Sequence, residues 1–144
     1  MITVAVAGAF DPIHLGHLQH LRAAKALGDR LVVLLNPDSD LVAKKGYAFM
    51  PWGDRWQILM ELRCVDDVIE ITDLDGTCAG TLAKVKPDIF AKGGDRSGPE
   101  KMPQNELNIC QKLGIKIVYG VGGGKIQSSS ELVRAAREKA RSGT

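Results

Sequence analysis

Aromatic side chains are scarce, at 5% of the 144 residues, and charge is nearly balanced, 19 lysines and arginines against 17 aspartates and glutamates. The formal net charge is only +2. A chain that tracks a nucleic-acid backbone carries a clustered basic stripe, and one that stacks bases carries aromatic platforms. Neither is present, so no nucleic-acid partner is expected. Cysteine is equally sparse. Cys64, Cys78 and Cys110 form no CxxC pair and no Cys/His cluster of zinc type. Free thiols in a reducing compartment are expected, each acting as a small apolar residue. Long hydrophobic runs are missing too. The longest unbroken one is Leu31–Leu35, against about 20 residues for a membrane span. The N-terminal run Ile2–Ala7 has no basic flank and is followed at once by Gly8 and Pro12, unlike a signal peptide. No membrane partner and a cytoplasmic location are therefore expected.

What is present is ordinary for a globular chain: 44% apolar and 25% charged residues, too apolar for disorder. The length predicts a single domain over residues 1–144. Short apolar runs alternate with segments of helical period. Ile2–Ala7, Leu31–Leu35, Val68–Ile71, Asp88–Ala91 and Ile115–Tyr119 read as strands. The first two are almost continuously apolar, which implies burial on both faces of a parallel sheet. Helical stripes are marked by Leu15, Leu18, Leu21 and Ala24, then by Ile58, Leu59 and Leu62, and by Leu82 and Val85. Two more are marked by Leu107, Cys110 and Leu113, and by Leu132, Val133, Ala136 and Ala140. This alternation predicts an α/β fold, a doubly wound, Rossmann-like, parallel five-stranded sheet with helices on both faces. Two connections, Asn36–Asp54 and Lys92–Pro103, are longer than such a fold needs. They leave the carboxyl edge of the sheet, where such folds bind ligands.

The first strand runs into Gly8-Ala9-Phe10-Asp11-Pro12-Ile13-His14-Leu15-Gly16-His17. Two histidines three apart in a first helical turn project to one side. Gly16 bares the backbone between them, and a helix N-terminus attracts anions. Together these make a phosphate site; the plainer alternative is a pair of capping histidines. Near the other end, Ser128-Ser129-Ser130-Glu131 opens the last helix. Ser128 and Glu131 fit a capping box, but three consecutive hydroxyls exceed what a cap needs and suit phosphate oxygens. Gly122 to Gly124 with Lys125 suggest a P-loop, yet Ile126 stands where a P-loop has Ser or Thr.

GAFDPIHLGH followed by a terminal Ser-rich helix start resembles the HxGH nucleotidyltransferases of the cytidylyltransferase-like superfamily, over nearly the whole chain. Gly28-Asp29-Arg30-Leu31-Val32-Val33, Asn36-Pro37-Asp38-Ser39-Asp40, Val65-Asp66-Asp67-Val68-Ile69 and Lys86-Pro87-Asp88 resemble the sugar-phosphate branch. Lys92-Gly93-Gly94-Asp95 is most similar to the adenylyltransferases of bacterial heptose biosynthesis. The glycerol-3-phosphate cytidylyltransferases are close relatives but carry a second acid at the position of Gly94. The chain departs from its relatives in having Ala9 where they have Thr. It also has Ser128-Ser129-Ser130 where they have Ser-Thr-Thr. The run from Ser128 to Val133 resembles the phosphopantetheine adenylyltransferases.

The resemblance implies transfer of a nucleotidyl group from a nucleoside triphosphate to a phosphorylated acceptor, with release of pyrophosphate by direct in-line displacement. His14 and His17 would stabilise charge on the α- and β-phosphates. Lys44 and Lys45, expected in a mobile loop, would reach the triphosphate or the acceptor phosphate, or else form a solvated pair. Arg55 would bind phosphate or stand at the surface. Ala9, Phe10 and Gly16 would line the nucleotide, Gly93, Gly94 and Asp95 its base and ribose, and Ser128, Ser129 and Ser130 the leaving pyrophosphate. Magnesium is expected on the phosphates, with no protein ligand assigned, and a homodimer is expected from the family. Because Gly94 leaves room at the base, ATP is favoured over CTP, and a sugar or polyol phosphate is the expected acceptor. A phosphopantetheine-type adenylyltransferase and a catalytically silent nucleotide-binding regulator are the alternatives.

Overall fold

Strand β1 (Thr3–Gly8) lies at the centre of a five-stranded, wholly parallel sheet of order β3-β2-β1-β4-β5. The computed structural model describes residues 1–93, 102–123 and 136–137. The chain leaves β1 through α1 (Leu15–Lys25) to β2 (Arg30–Leu35), then through α2 (Asp38–Lys45) and α3 (Trp52–Met60) to β3 (Asp67–Glu70). It returns through α4 (Ala79–Val85) to β4 (Ile89–Gly93) on the other side of β1, and through α5 (Gln104–Leu113) to β5 (Lys116–Val121). Strand order therefore reverses between β1 and β4, and the crevice beyond their carboxyl ends is where open α/β sheets bind ligands.

Period-two alternation along the strands separates two cores. Val4, Val6, Leu31 and Val33 pack with Leu21 and Ala24 of α1 and Leu59 of α3. Ala5, Val32, Leu34 and Phe90 pack on the other face with Leu82 of α4 and Cys110 of α5. The expected two-sided burial is met: Leu31 to Leu35 have no exposed surface at all. The strand starts are fixed by aspartates. Asp29 accepts from the N–H of Ile2 at 2.7 Å, Asp88 from Thr3 at 2.8 Å, and Asp66 from Leu31 at 2.8 Å. Those three residues belong to the segments that carried the sugar-phosphate resemblance. Here they cap the amino edge of the sheet, opposite the ligand crevice, and define the fold rather than a substrate.

Several boundaries differ from the sequence reading. Strand β5 continues past Tyr119 because Gly120, at φ +66°, accommodates an irregularity in the β4–β5 register. Leu15, assigned to the buried stripe of α1, is 53% exposed, since the first helical turn lies beyond the sheet edge and only Leu21 and Ala24 are fully covered. The Asn36–Asp54 connection is largely helical rather than a loop, with α2 opening after Pro37 and closing on Gly46 at φ +88°. Of the expected last helix, only Ala136 and Arg137 are described, and both are helical. Among the described residues no helix is long and apolar enough to cross a membrane.

Candidate active site

The site is built on the turn from β1 into α1. Phe10 takes a left-handed backbone, φ +50°, which costs a residue with a Cβ energy. Its ring is buried against Gly8, where an added Cβ would stand 2.9 Å from Phe10 Cε2. Glycine is therefore required at the end of the strand. The Phe10 ring reaches the ring of His17, at a centroid distance of 4.8 Å.

His14 is the N-cap of α1, with an extended backbone. Its Nδ1 accepts from the N–H of His17 at 3.4 Å, and Nδ1 of His17 accepts from the N–H of His14 at 3.2 Å. This is a capping box made by two imidazoles in place of Ser and Glu. The rings stack with centroids 3.7 Å apart and planes 19° from parallel. Because both Nδ1 atoms accept, each neutral ring carries its proton at Nε2. The structure realises the capping alternative: the cap fixes the tautomer and ring orientation of both histidines at the helix N-terminus.

Behind this turn lie two residues that tie it to the α2–α3 connection. Asp11, whose side chain is fully buried, accepts from the N–H groups of Phe49 at 2.7 Å and Met50 at 2.6 Å. Lys45 Nζ approaches its carboxylate at 3.0 Å and donates to its carbonyl at 3.1 Å. Lys45 is therefore held on the last turn of α2 against the histidine turn, not carried on a loop, and its ammonium also lies 5.2 Å from the Tyr47 ring. Lys44, beside it, is exposed. Arg137 approaches the same tyrosine ring at 5.2 Å.

Arg55 corrects the sequence reading. Its side chain is 0% exposed and donates to the carbonyls of Ala9 at 2.8 Å, Asn36 at 2.9 Å and Met50 at 2.9 Å, and to Asp38 at 2.7 Å. Four donor contacts inside the protein remove it from the surface and commit most of its donors to the fold. It knots together the ends of β1 and β2 and the entry to α3. Ala9, expected to touch the nucleotide, offers its carbonyl to this knot.

Across the crevice, Gly93 ends β4 beside Val121 of β5. Gly94 and Asp95, and the serines Ser128, Ser129 and Ser130, lie outside the described residues. Below Gly93, Lys92 and Glu106 form a buried ion pair at 4.0 Å, and Glu106 Oε2 accepts from the N–H of Cys78 at 3.1 Å. Burial, and then the negative charge of Glu106, push the thiols of Cys78 and Cys110 up, that of Cys110 to about 11, against a smaller opposing effect of Lys92. Neither is a nucleophile at neutral pH. Asp11, Glu106 and His20 were not singled out from sequence. Only Asp11, an acid buried in an otherwise apolar turn next to proline, offered a signal that could have been read.

A model of the cytidylyltransferase-like family matches residues 5–116. The FAD synthase of Thermoplasma volcanium is 36% identical over 141 residues, covering 96% of each chain. The bifunctional protein HldE of Streptomyces coelicolor is 36% identical over 140 residues, which are 96% of this chain and 29% of that protein. This chain thus spans less than a third of the bifunctional relative. Among solved structures, a lipopolysaccharide core biosynthesis protein from Thermoplasma volcanium superposes with a TM-score of 0.71 at 35% identity, covering 88% of this chain and 99% of that one. Fold and kinship together define a nucleotidyltransferase. The chain belongs to the cytidylyltransferase-like family.

Proposed function

We propose that the protein transfers AMP from ATP to a small phosphorylated acceptor. An acceptor phosphate oxygen attacks the α-phosphorus, the bond to the bridging oxygen of the β-phosphate breaks, and pyrophosphate leaves with that electron pair. The observation that carries this reading is the reciprocal capping of His14 and His17, which fixes two imidazoles, each with its proton at Nε2, at the helix N-terminus that follows β1. Fixed donors aimed at oxygens that gain charge need no reorganisation as the reaction proceeds. Lys45 is neutralised by the buried Asp11 carboxylate and anchors α2 to the histidine turn, while exposed Lys44 is assigned to an acceptor phosphate. Gly93, Gly94 and Asp95 are assigned to base and ribose, and Ser128 to Ser130 to the leaving pyrophosphate.

Among the described residues no three carboxylate, imidazole or thiol side chains converge on a metal position. Magnesium is assigned to the nucleotide in this reading, neutralising charge on its phosphate oxygens. ATP is preferred to CTP on the room at Gly94, and the FAD synthase relative, matched over 96% of its length, also bears an adenine nucleotide in its name. The acceptor classes are a sugar or polyol phosphate and, from that same relative, a flavin phosphate.

The test is pyrophosphate release with ATP or CTP against a panel of sugar 1-phosphates, glycerol 3-phosphate, FMN and phosphopantetheine. ATP-dependent release with a sugar phosphate or FMN supports the reading. Preference for CTP would overturn the choice of nucleotide. Release only with phosphopantetheine would favour the alternative adenylyltransferase. Nucleotide binding without release from any pair would favour a regulator.

A further inference from the structure

His20 is the third histidine of the chain and lies on α1 one turn beyond His17. Its Nδ1 lies 2.8 Å from the carbonyl oxygen of Val121, at the end of β5. A carbonyl only accepts, so His20 carries a proton at Nδ1, where His14 and His17 carry lone pairs. A second contact joins the same two places through backbone. Gly122 has φ +92°, and a Cβ built on it would stand 2.7 Å from His20 Cα and 3.1 Å from His20 N. Only glycine passes this close to the helix, and in that conformation.

Gly120, Gly122 and Gly123 all take positive φ, at +66°, +92° and +78°, and Gly124 follows. Three glycines within residues 120–123 carry no side chains to pack, so order there has to be supplied by a neighbouring element. The supplier is the helix whose first turn carries the histidine pair. We propose that His20 is a positioning residue, fixing the exit of β5 against α1 and with it the edge of the crevice where Val121 pairs with Gly93. This rests on the nucleotidyl-transfer reading, because that reading assigns Gly93 to the base and ribose.

The experiment uses the full chain with two substitutions at one position. His20→Asn keeps an N–H donor near the place of Nδ1, and His20→Leu removes it while keeping apolar bulk. Amide hydrogen exchange over residues 119–123 and steady-state kinetics with ATP and the best acceptor are measured on both. His20→Leu should raise exchange in 119–123 at least about tenfold, with exchange in β1 and β2 unchanged. It should lower kcat at saturating ATP about tenfold, and His20→Asn should restore both. Gly122→Ala, with His20 intact, should reproduce the leucine variant by pushing the chain off the helix from the other side. Wild-type exchange and kinetics in His20→Leu would overturn the proposal, as would faster exchange with unchanged kcat, or a failure of asparagine to rescue. If the wild-type protein transfers nucleotide to no acceptor, the functional reading itself fails, a result separable from an active enzyme indifferent to His20.

Discussion

Replacing Arg55 with methionine separates a structural arginine from a phosphate-binding one. Methionine keeps much of the side-chain stem and removes every donor. Three carbonyls, those of Ala9, Asn36 and Met50, then lose a bond of 2.8–2.9 Å. A group left unsatisfied on burial costs about 1–3 kcal/mol, and part of that is recovered where water reaches the loop. The ion pair adds little, since Asp38 is 47% exposed and rehydrates once its partner is gone. The total is about 3–5 kcal/mol, the range for breaking a buried hydrogen-bonded network. Against a whole-domain stability of about 5–15 kcal/mol, that loss is large. Arg55→Lys should fall between, because an ammonium keeps the charge but has no planar fork to reach three carbonyls. Urea titration of the three proteins measures it, with the slopes compared to confirm one unfolding transition. A loss below about 1 kcal/mol, together with a hundredfold fall in turnover, would refute the reasoning and return Arg55 to the substrate.

Other consequences follow from the same geometry. His14→Ala should raise the activation barrier by about 2–4 kcal/mol and cost a further ~1 kcal/mol of stability from the lost cap. His14→Asn should keep the cap and lose only turnover; equal melting of both variants would count against the capping role. Iodoacetamide at pH 8 should leave Cys78 and Cys110 unmodified in the folded protein, since a thiol raised to about 11 is roughly one part in a thousand thiolate. Rapid alkylation of either without unfolding would contradict their burial. Burial pushes the Asp66 carboxyl up, but hydrogen bonds from Lys25 and the Leu31 N–H, and the charges of Lys25 and Arg30, hold it below the usual range. A carboxyl lowered on folding stabilises above its unfolded pKa and loses that contribution as pH falls. Asp66→Asn should therefore destabilise at pH 7 and flatten the loss of stability below about pH 4. A parallel shift at all pH values would show that the charge is not responsible.

The parallel sheet was legible because its strands are short, apolar and evenly spaced, and the histidine turn because its residue types have few other uses together. Helix α2 was not legible: it follows a proline and buries only Leu41, so no apolar stripe marks it. Arg55 reads in sequence as one cation among nineteen; its burial depends on carbonyls contributed by Ala9, Asn36 and Met50, which no local pattern brings together. His20 escaped for the same reason, since its partner Val121 is 101 residues away. What periodicity cannot show is the long-range closure of backbone groups, and here that closure holds the site in shape.

The central claim is a single direct displacement that moves the nucleotidyl group from triphosphate to acceptor. Rapid-quench analysis with ATP labelled at the α-phosphate and the best acceptor tests it most directly. The account predicts label passing into the acceptor product in step with pyrophosphate, one for one, with none on the protein at any time. Label trapped on the protein, or released as ADP with inorganic phosphate in place of pyrophosphate, would contradict it.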